Sequence, residues 1–359
     1  MKITFVMVNP NMTGGDRVCA IYAKKLMDLG HIVNIVAPKK RYLSTKHQVK
    51  RVLKGKPWLS KKEQSRNHFD LLGLELLFSE SFSPLMAQSV PDADVVIATW
   101  WKTAEWVNSF SDKKGKKVYF IQGYEVYEHL PKERVKATYR YPFFKITIAK
   151  WLVSIMQNDY FADKVALVPN SVNHELFYAD RRGKQTRPTI GFLFSESEFK
   201  GIKTTLKVID NLKQKISNLR VIAFGSYVPA IFDVPDYIEL TINPKQEEIR
   251  LLYQQCDLWL CCSLIEGFGL TILEAMACRV PAVSTKCGGP ESIITEGKNG
   301  YLCDVNAIEA LTVSSMKVLH FSEYEWLKFS DNAYDHAQSY SWSEAVRLFE
   351  SALQEAANS

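Results

Sequence analysis

Glu266 and Glu274 stand eight positions apart in the stretch IEGFGLTILEAMAC, residues 265 to 278, on either side of a glycine-flanked Phe268. A carboxylate accepts two hydrogen bonds readily, which suits it to a ribose diol or to a pair of sugar hydroxyls. Between the two acids, Gly267 and Gly269 let other groups approach the backbone closely, just where an apolar helical pattern begins. Amides at such a helix start form a site for phosphate or another anion. Glu266 is expected in the loop before the turn and Glu274 about one turn into the helix, so that the two carboxylates bracket the anion site. On spacing alone, a solvated helix glutamate is the competing reading for Glu274.

The run DLWLCC before this stretch reads as a strand, which makes Gly267 to Thr271 a strand-to-helix turn. Ligands of open parallel sheets bind beyond the carboxyl ends of the strands, at such turns. The rest of the chain has the same texture. KITFVMV, HIVNIVA, ADVVIAT, KKVYFIQ and DKVALVP alternate with helical patterns up to Pro169, and a polar linker, NSVNHELFYADRRGKQTRP, follows. TIGFLF, LRVIAFG, YIELTI, DLWLCC and PAVST then restart the alternation, with helices expected at 201 to 215, 245 to 254 and 269 to 278. From 305 onward the pattern is helical, and Ser341 or Ser343 is the expected N-cap of the last helix. A chain of 359 residues favours two domains, here two α/β layers facing a cleft.

A composition of 47% hydrophobic and 23% charged residues belongs to a soluble globular protein. The start, MKITFVMVNP, suits a buried strand and is too short for a signal peptide, and Lys150 interrupts the longest apolar stretch, ITIAKWLVSIM. Seven cysteines without C-x-x-C spacing fit a reduced cytoplasm, with Cys261 and Cys262 as small hydrophobes in a strand. The net charge of +6 is unevenly placed: residues 39 to 66 hold eleven Lys or Arg against the single acid Glu63. Residues 132 to 156 interleave Arg134, Lys136, Arg140, Lys145 and Lys150 with Tyr139, Tyr141, Phe143, Phe144 and Trp151. Both stretches suit an anionic membrane surface; a solvated basic face over core aromatics is the other reading. No nucleic-acid-binding motif is present, and no nucleic-acid partner is expected.

The segment EGFGLTILEAMACRVPAVSTKCGGPESIITEGKNGYLC resembles the signature of the family-4 retaining glycosyltransferases, with their E-x7-E motif. GGDRVCAIYAKKLMDLGHIVNIV, VPNSVNHELF and FKGIKTTLKVI extend the likeness over most of the chain in the expected order. The resemblance implies a GT-B fold of two Rossmann-like domains facing a cleft, with C-terminal helices packing back toward the first. Expected boundaries are 1–172 for the acceptor-side domain, 173–188 for the linker, 189–335 for the nucleotide-sugar domain and 336–359 for the returning helix. It implies transfer of a sugar from a nucleoside-diphosphate sugar to a glycan or lipid-linked acceptor, in cell-surface polysaccharide or glycoconjugate synthesis. The enzyme would be cytoplasmic, and peripheral at the inner face of the membrane.

Carried over by position, Glu274 would bind the ribose and Glu266 the donor sugar, while the amides of Phe268, Gly269 and Leu270 face the sugar and diphosphate. Lys200 would neutralise the diphosphate leaving group, and Gly14 and Gly15 would let the first domain approach the phosphates. The resemblance implies no cofactor and no metal; the one D-x-D triplet, Asp92-Ala93-Asp94, reads as a strand-start loop. Three departures matter. Phe192 replaces the usual arginine, with Lys203 as a candidate substitute for its charge. Gln122 replaces a common histidine, leaving Glu125 as candidate base, acceptor contact or helix-terminus charge. NSVN replaces the common N-G-V-D, keeping Asn170. An epimerase or hydrolase of the same fold, or a non-catalytic sugar-nucleotide or glycan-binding module, are the alternatives.

Overall fold

The computed structural model describes residues 1–53, 55, 57–226 and 234–359. They form two compact units, one of Met1–Val52, Pro57–Pro169 and Ser343–Ser359, the other including Asn170–Trp342. The division falls at Pro169, where the strand texture gives way to polar residues, and the chain rejoins the first unit at Ser343 rather than at 336.

The first unit holds a seven-stranded sheet of β1 (Lys2–Val6), β2 (Ile32–Ala37), β3 (Leu77–Phe78), β4 (Val95–Ala98), β5 (Lys116–Ile121), β6 (Phe144–Thr147) and β7 (Val165–Leu167). The order is β3-β2-β1-β4-β5-β6-β7 and every pairing is parallel. A parallel strand covered by helices on both faces must be apolar along its whole length. The four residues of β4, VVIA, are accordingly all buried.

The second unit repeats the plan with β8 (Thr189–Phe194), β9 (Arg220–Gly225), β10 (Ile238–Ile242), β11 (Leu258–Cys261), β12 (Ala282–Thr285) and β13 (Gly300–Cys303), in the order β10-β9-β8-β11-β12-β13. Both sheets reverse their strand order at one point, between β1 and β4 and between β8 and β11. A crevice opens beyond the strand ends at such a point, and the loops after β8 and β11 meet there.

The last helix, Trp342–Ala357, closes the first unit with Phe349, which is fully buried, stacked on Tyr22 at 4.2 Å and edge-on to Phe120 at 5.1 Å. Burying one such ring stabilises the unit by roughly 1.5–3 kcal/mol.

Two expectations from composition resolve here. In the basic-aromatic stretch 132–156, Tyr139, Phe143 and Phe144 are core residues, and Lys145 is buried with its ammonium on the carbonyls of Tyr141 (2.9 Å) and Phe143 (3.2 Å). Burial lowers that ammonium to about 8. Three of the five aromatics of the stretch therefore lie inside the unit, with β6 running through it, while Tyr141 and Trp151 are partly exposed. All seven cysteines are free and buried, as small hydrophobes are. No described helix is long and apolar enough to cross a membrane.

Candidate active site

At the crevice of the second sheet, the loop after β8 carries Lys200 and the loop after β11 carries Glu266. Lys200 sits in a single 3-10 turn, Glu198–Lys200, closed by Gly201 in the left-handed region at φ +66°. A Cβ at Gly201 would lie 1.9 Å from the Cys262 carbonyl oxygen, so the glycine is what lets the two loops touch. The Leu264 amide donates to the Phe199 carbonyl at 2.7 Å and ties them together.

With the loops joined, Lys200 Nζ lies 2.6 Å from Glu266 Oε1, and the Ser263 hydroxyl donates to the same oxygen at 2.8 Å. The backbone of Glu266 is fixed as well: its N–H donates to the Cys287 carbonyl at 2.8 Å and its carbonyl accepts from Gly289 at 2.9 Å. Glu266 is 9% exposed. Burial alone would lower the Lys200 ammonium, but the charge and hydrogen bond of Glu266 outweigh it, and the ammonium stays above its ordinary range. Lys200, Ser263, Glu266 and Thr271 line one concavity.

Beyond Glu266 the chain turns into the helix Leu270–Ala277 through Gly269, its N-cap, at φ +96°. Gly289 makes room for this turn, since a Cβ there would lie 2.2 Å from the Phe268 carbonyl oxygen. Phe268 is buried with its ring edge-on to Tyr340 at 5.9 Å. The first amides of a helix have no acceptor within it, so the backbone from Phe268 to Leu270 presents the donors that an anion takes.

Glu274, one turn on, is not a solvated helix glutamate. It is 5% exposed, and its Oε2 accepts from the Tyr253 hydroxyl at 3.2 Å. Tyr253 belongs to the helix Gln246–Gln254 and packs edge-on against Trp259 of β11 at 4.7 Å, so a wall of aromatic side chains holds the carboxylate.

In the first unit the corresponding turn follows β1. Thr13 caps the helix Gly14–Asp28, accepting from the Asp16 amide, and the Asp16 carboxylate accepts from the Asn11 amide at 2.8 Å. Burial pushes the Asp16 carboxyl up to about 6, against the pull of that amide. Gln122, at the end of β5, donates its side-chain amide to the Gly15 carbonyl at 3.1 Å and to Cys19 Sγ at 3.3 Å. A Cβ on Gly15 would meet that amide at 3.5 Å, an ordinary van der Waals contact, and one on Gly14 would meet nothing within 4 Å.

Glu125 lies at the N-terminus of the helix Trp101–Asn108, where Oε2 accepts from the Trp101 amide at 3.2 Å. Burial pushes its carboxyl up to about 8, opposed by that amide and by the Tyr119 hydroxyl. Its carboxyl thus lies buried at a helix start, where burial favours the protonated form.

Among the expected residues, Glu266 and Lys200 thus meet, and the Phe268–Gly269–Leu270 turn and Glu274 adjoin them in the same unit. Lys203 is exposed on the helix Ile202–Lys215 and lies outside the lining of the concavity. Phe192 points into the hydrophobic core, so its position in β8 presents no charge to the crevice. Asp92 pairs with Lys114 at 2.7 Å and Asp94 accepts from the Lys2 amide at 2.6 Å, both at strand starts. Among the described residues, no group of three His, Cys, Asp or Glu is placed to hold a metal ion. Ser263 and Tyr253 were not expected. Ser263 carries only a weak signal, a hydroxyl directly after a strand, and Tyr253 none, being one more aromatic on a helix face.

Residues 179–336 match the glycosyl transferases group 1 family. N-acetyl-alpha-D-glucosaminyl L-malate synthase of Bacillus anthracis is 39% identical over 79 residues, 22% of this chain and 21% of that protein. A probable sucrose-phosphate synthase of Thermosipho melanesiensis is 26% identical over 207 residues, 52% of this chain and 46% of that one. The chain thus spans about half or less of the length of these two relatives. A solved sucrose-phosphate synthase of Thermosynechococcus elongatus superposes with a TM-score of 0.73 at 14% identity, over 99% of this chain and 98% of that one. At that identity the likeness shows the fold, which is GT-B.

Proposed function

We propose, from the match of residues 179–336 to the glycosyl transferases group 1 family, that the chain moves a sugar from a nucleoside-diphosphate sugar to a glycan or lipid-linked acceptor, with retention of configuration. The observation that carries this reading is the Lys200–Glu266 pair, held at 2.6 Å beside the helix start at Gly269. When the bond from the anomeric carbon to the diphosphate breaks, positive charge develops on the sugar and negative charge on the departing diphosphate. Lys200 and the amides from Phe268 to Leu270 are preorganised for the second, and the Glu266 carboxylate for the sugar's hydroxyls or its developing charge. Glu274 binds the ribose diol.

The Rossmann-like fold of the second unit binds the donor and the first unit the acceptor. The positive charges proposed for the leaving group are side chains and amides, so no metal is needed. Gln122 cannot transfer a proton at neutral pH and braces the glycine turn instead. The wider reading is hexosyl transfer in surface polysaccharide or glycoconjugate synthesis, by a cytoplasmic enzyme peripheral at the inner face of the membrane.

The test is thermal unfolding with UDP, dTDP, GDP and ADP, with and without magnesium, followed by transfer assays using the donor so identified. A ligand about a hundredfold above its dissociation constant stabilises the native state by roughly 2.7 kcal/mol. A metal-independent rise in Tm with one nucleotide, and transfer that needs an added acceptor, are expected. Donor turnover without acceptor would instead indicate an epimerase or hydrolase, and nucleotide binding with no turnover a binding module.

A further inference from the structure

The first unit has a face that is both basic and apolar on the outside. In the helix Thr45–Leu53 the one buried residue is polar: Gln48, whose amide accepts from Leu59 N at 3.2 Å and donates to Leu59 O at 2.6 Å. Val49 and Val52 of the same helix are exposed, Val52 by 50%, and so is Trp58 just beyond, by 53%. This inverts the usual rule for a surface helix, whose apolar residues turn inward.

Side-chain contacts join neighbouring segments to the same face. Arg41 lies over the Phe82 ring at 4.6 Å, Lys61 over the Tyr42 ring at 5.6 Å, and Tyr42 shares a hydrogen bond with Ser65 at 3.2 Å. Phe78, on the edge strand β3, and Met86 add exposed apolar area. Between 39 and 66 nine described Lys or Arg face a single acid, Glu63; Lys54 and Lys56 lie outside the described residues.

We propose that this face, built on residues 39–52, 57–66 and 77–86, docks the protein on an anionic phospholipid bilayer, with Val49, Val52 and Trp58 entering the headgroup boundary. An exposed cation on its own would need only solvent. Here the cations surround aliphatic side chains, and an anionic bilayer supplies phosphate for the first and hydrocarbon for the second in one plane. A second copy of the chain would bring the same positive charge to the contact and be repelled. A nucleic acid would take up the charge but leaves Val49, Val52 and Met86 without a partner, since its single strands are held by aromatic stacking. The assignment moves the membrane contact off residues 132–156, of whose aromatics Tyr139, Phe143 and Phe144 are internal, and adds β3 and its flanks, which the charge pattern alone did not mark.

The docking supports transfer to a lipid-linked acceptor and in that sense rests on the proposed function, yet it is read without donor or acceptor. The full chain is sedimented with phosphatidylcholine vesicles, with and without about 30 mol% of the anionic lipid phosphatidylglycerol, at low and high salt. Binding at least about tenfold tighter to the anionic vesicles is expected. Lys46→Glu/Lys50→Glu/Lys62→Glu should abolish that preference, and Val49→Ser/Val52→Ser/Trp58→Ser should remove the part of binding that survives high salt. All six positions are exposed, so unchanged Tm in the variants certifies the fold. Equal binding to neutral vesicles, variants that bind as the wild type does, or charge-dependent binding to a single-stranded oligonucleotide with none to vesicles would each overturn the proposal. Transfer to a soluble acceptor without vesicle binding would overturn it while sparing the enzymatic reading, and the reverse result would separate the two the other way.

Discussion

Lys200 Nζ and Glu266 Oε1 lie 2.6 Å apart although 66 residues separate them, because β8 and β11 are neighbours at the point where the sheet reverses its order. Each group is the other's counter-charge. In the proposed reaction a diphosphate entering at the helix start would take up the ammonium and release the carboxylate toward the sugar, so that one ion pair becomes two contacts with a donor. Lys200→Met should therefore lower the transfer kcat by about a hundredfold or more, the range for removing one preorganised donor to developing charge. It should also lower stability, since Glu266 is left with Ser263 as a neutral partner; a half-buried pair of this kind costs about 1–3 kcal/mol to break. Adding Glu266→Gln should restore Tm and leave transfer lost. Initial rates and melting curves on the three proteins check this, and an undiminished kcat in Lys200→Met removes the lysine from the mechanism.

Glu274 is a different case, because Tyr253 already holds its carboxylate. Glu274→Ala should weaken nucleotide binding by about 1–3 kcal/mol through lost charge-assisted hydrogen bonds. Tyr253→Phe removes only the hydroxyl that orients the carboxylate and should weaken binding by less, about 0.5–1.5 kcal/mol. Titration calorimetry with the nucleotide reads both. Unchanged affinity in Glu274→Ala would show that the carboxylate serves the packing of its helix and not the ribose.

Gly201 ties the lysine turn to the end of β11. Gly201→Ala places a methyl 1.9 Å from the Cys262 carbonyl oxygen on a backbone at φ +66°, so the turn must move, and Lys200 with it. The control is Gly297→Ala, at φ +71° with nothing within 4 Å, which meets only the left-handed penalty of about 1–2 kcal/mol. Gly201→Ala should lower Tm more than the control and should also lower kcat, which the control should leave alone. Equal effects on kcat would mean that the close approach at Gly201 does not position the lysine.

The order of these elements was legible because strand and helix carry different apolar periods, and a buried parallel strand such as VVIA is apolar throughout. The turn at Gly269 was legible from its glycines after a strand pattern, whereas the acids at 266 and 274 stood out only through the resemblance to a known signature, spacing alone leaving Glu274 a solvated helix glutamate. Partners brought from afar were not. Ser263 and Tyr253 have ordinary neighbours in the sequence, and only the β8–β11 crossing and the aromatic wall bring them to the carboxylates. Burial was the other blind spot: Tyr139, Phe143 and Lys145 look like a lipid-facing mixture until β6 draws them into the core, and the exposed Val49 and Val52 look like a helix's inner face until Gln48 takes that place. Glu125 was ambiguous for the same reason, since a carboxylate's chemistry depends on whether water reaches it.

That ambiguity gives a pH test. With burial holding its folded-state carboxyl near 8, Glu125 keeps a proton in the native protein at pH values where the unfolded chain has already released it, above about 4.5. The native state then binds more protons than the unfolded one, so stability falls as pH rises across this window, by at most about 1.4 kcal/mol per pH unit from this group, and levels off above 8. Glu125→Gln keeps the size and the acceptor for the Trp101 amide but has nothing to titrate. Its stability relative to the wild type should therefore rise between pH 5.5 and pH 8. Other buried acids such as Asp16 and Asp257, each raised to about 6 by burial, titrate in both proteins and cancel in the difference. Urea unfolding at the two pH values measures it; a wild-type-to-variant difference that does not change with pH would mean that Glu125 is ionised in the folded state, and would return it to the list of candidate bases.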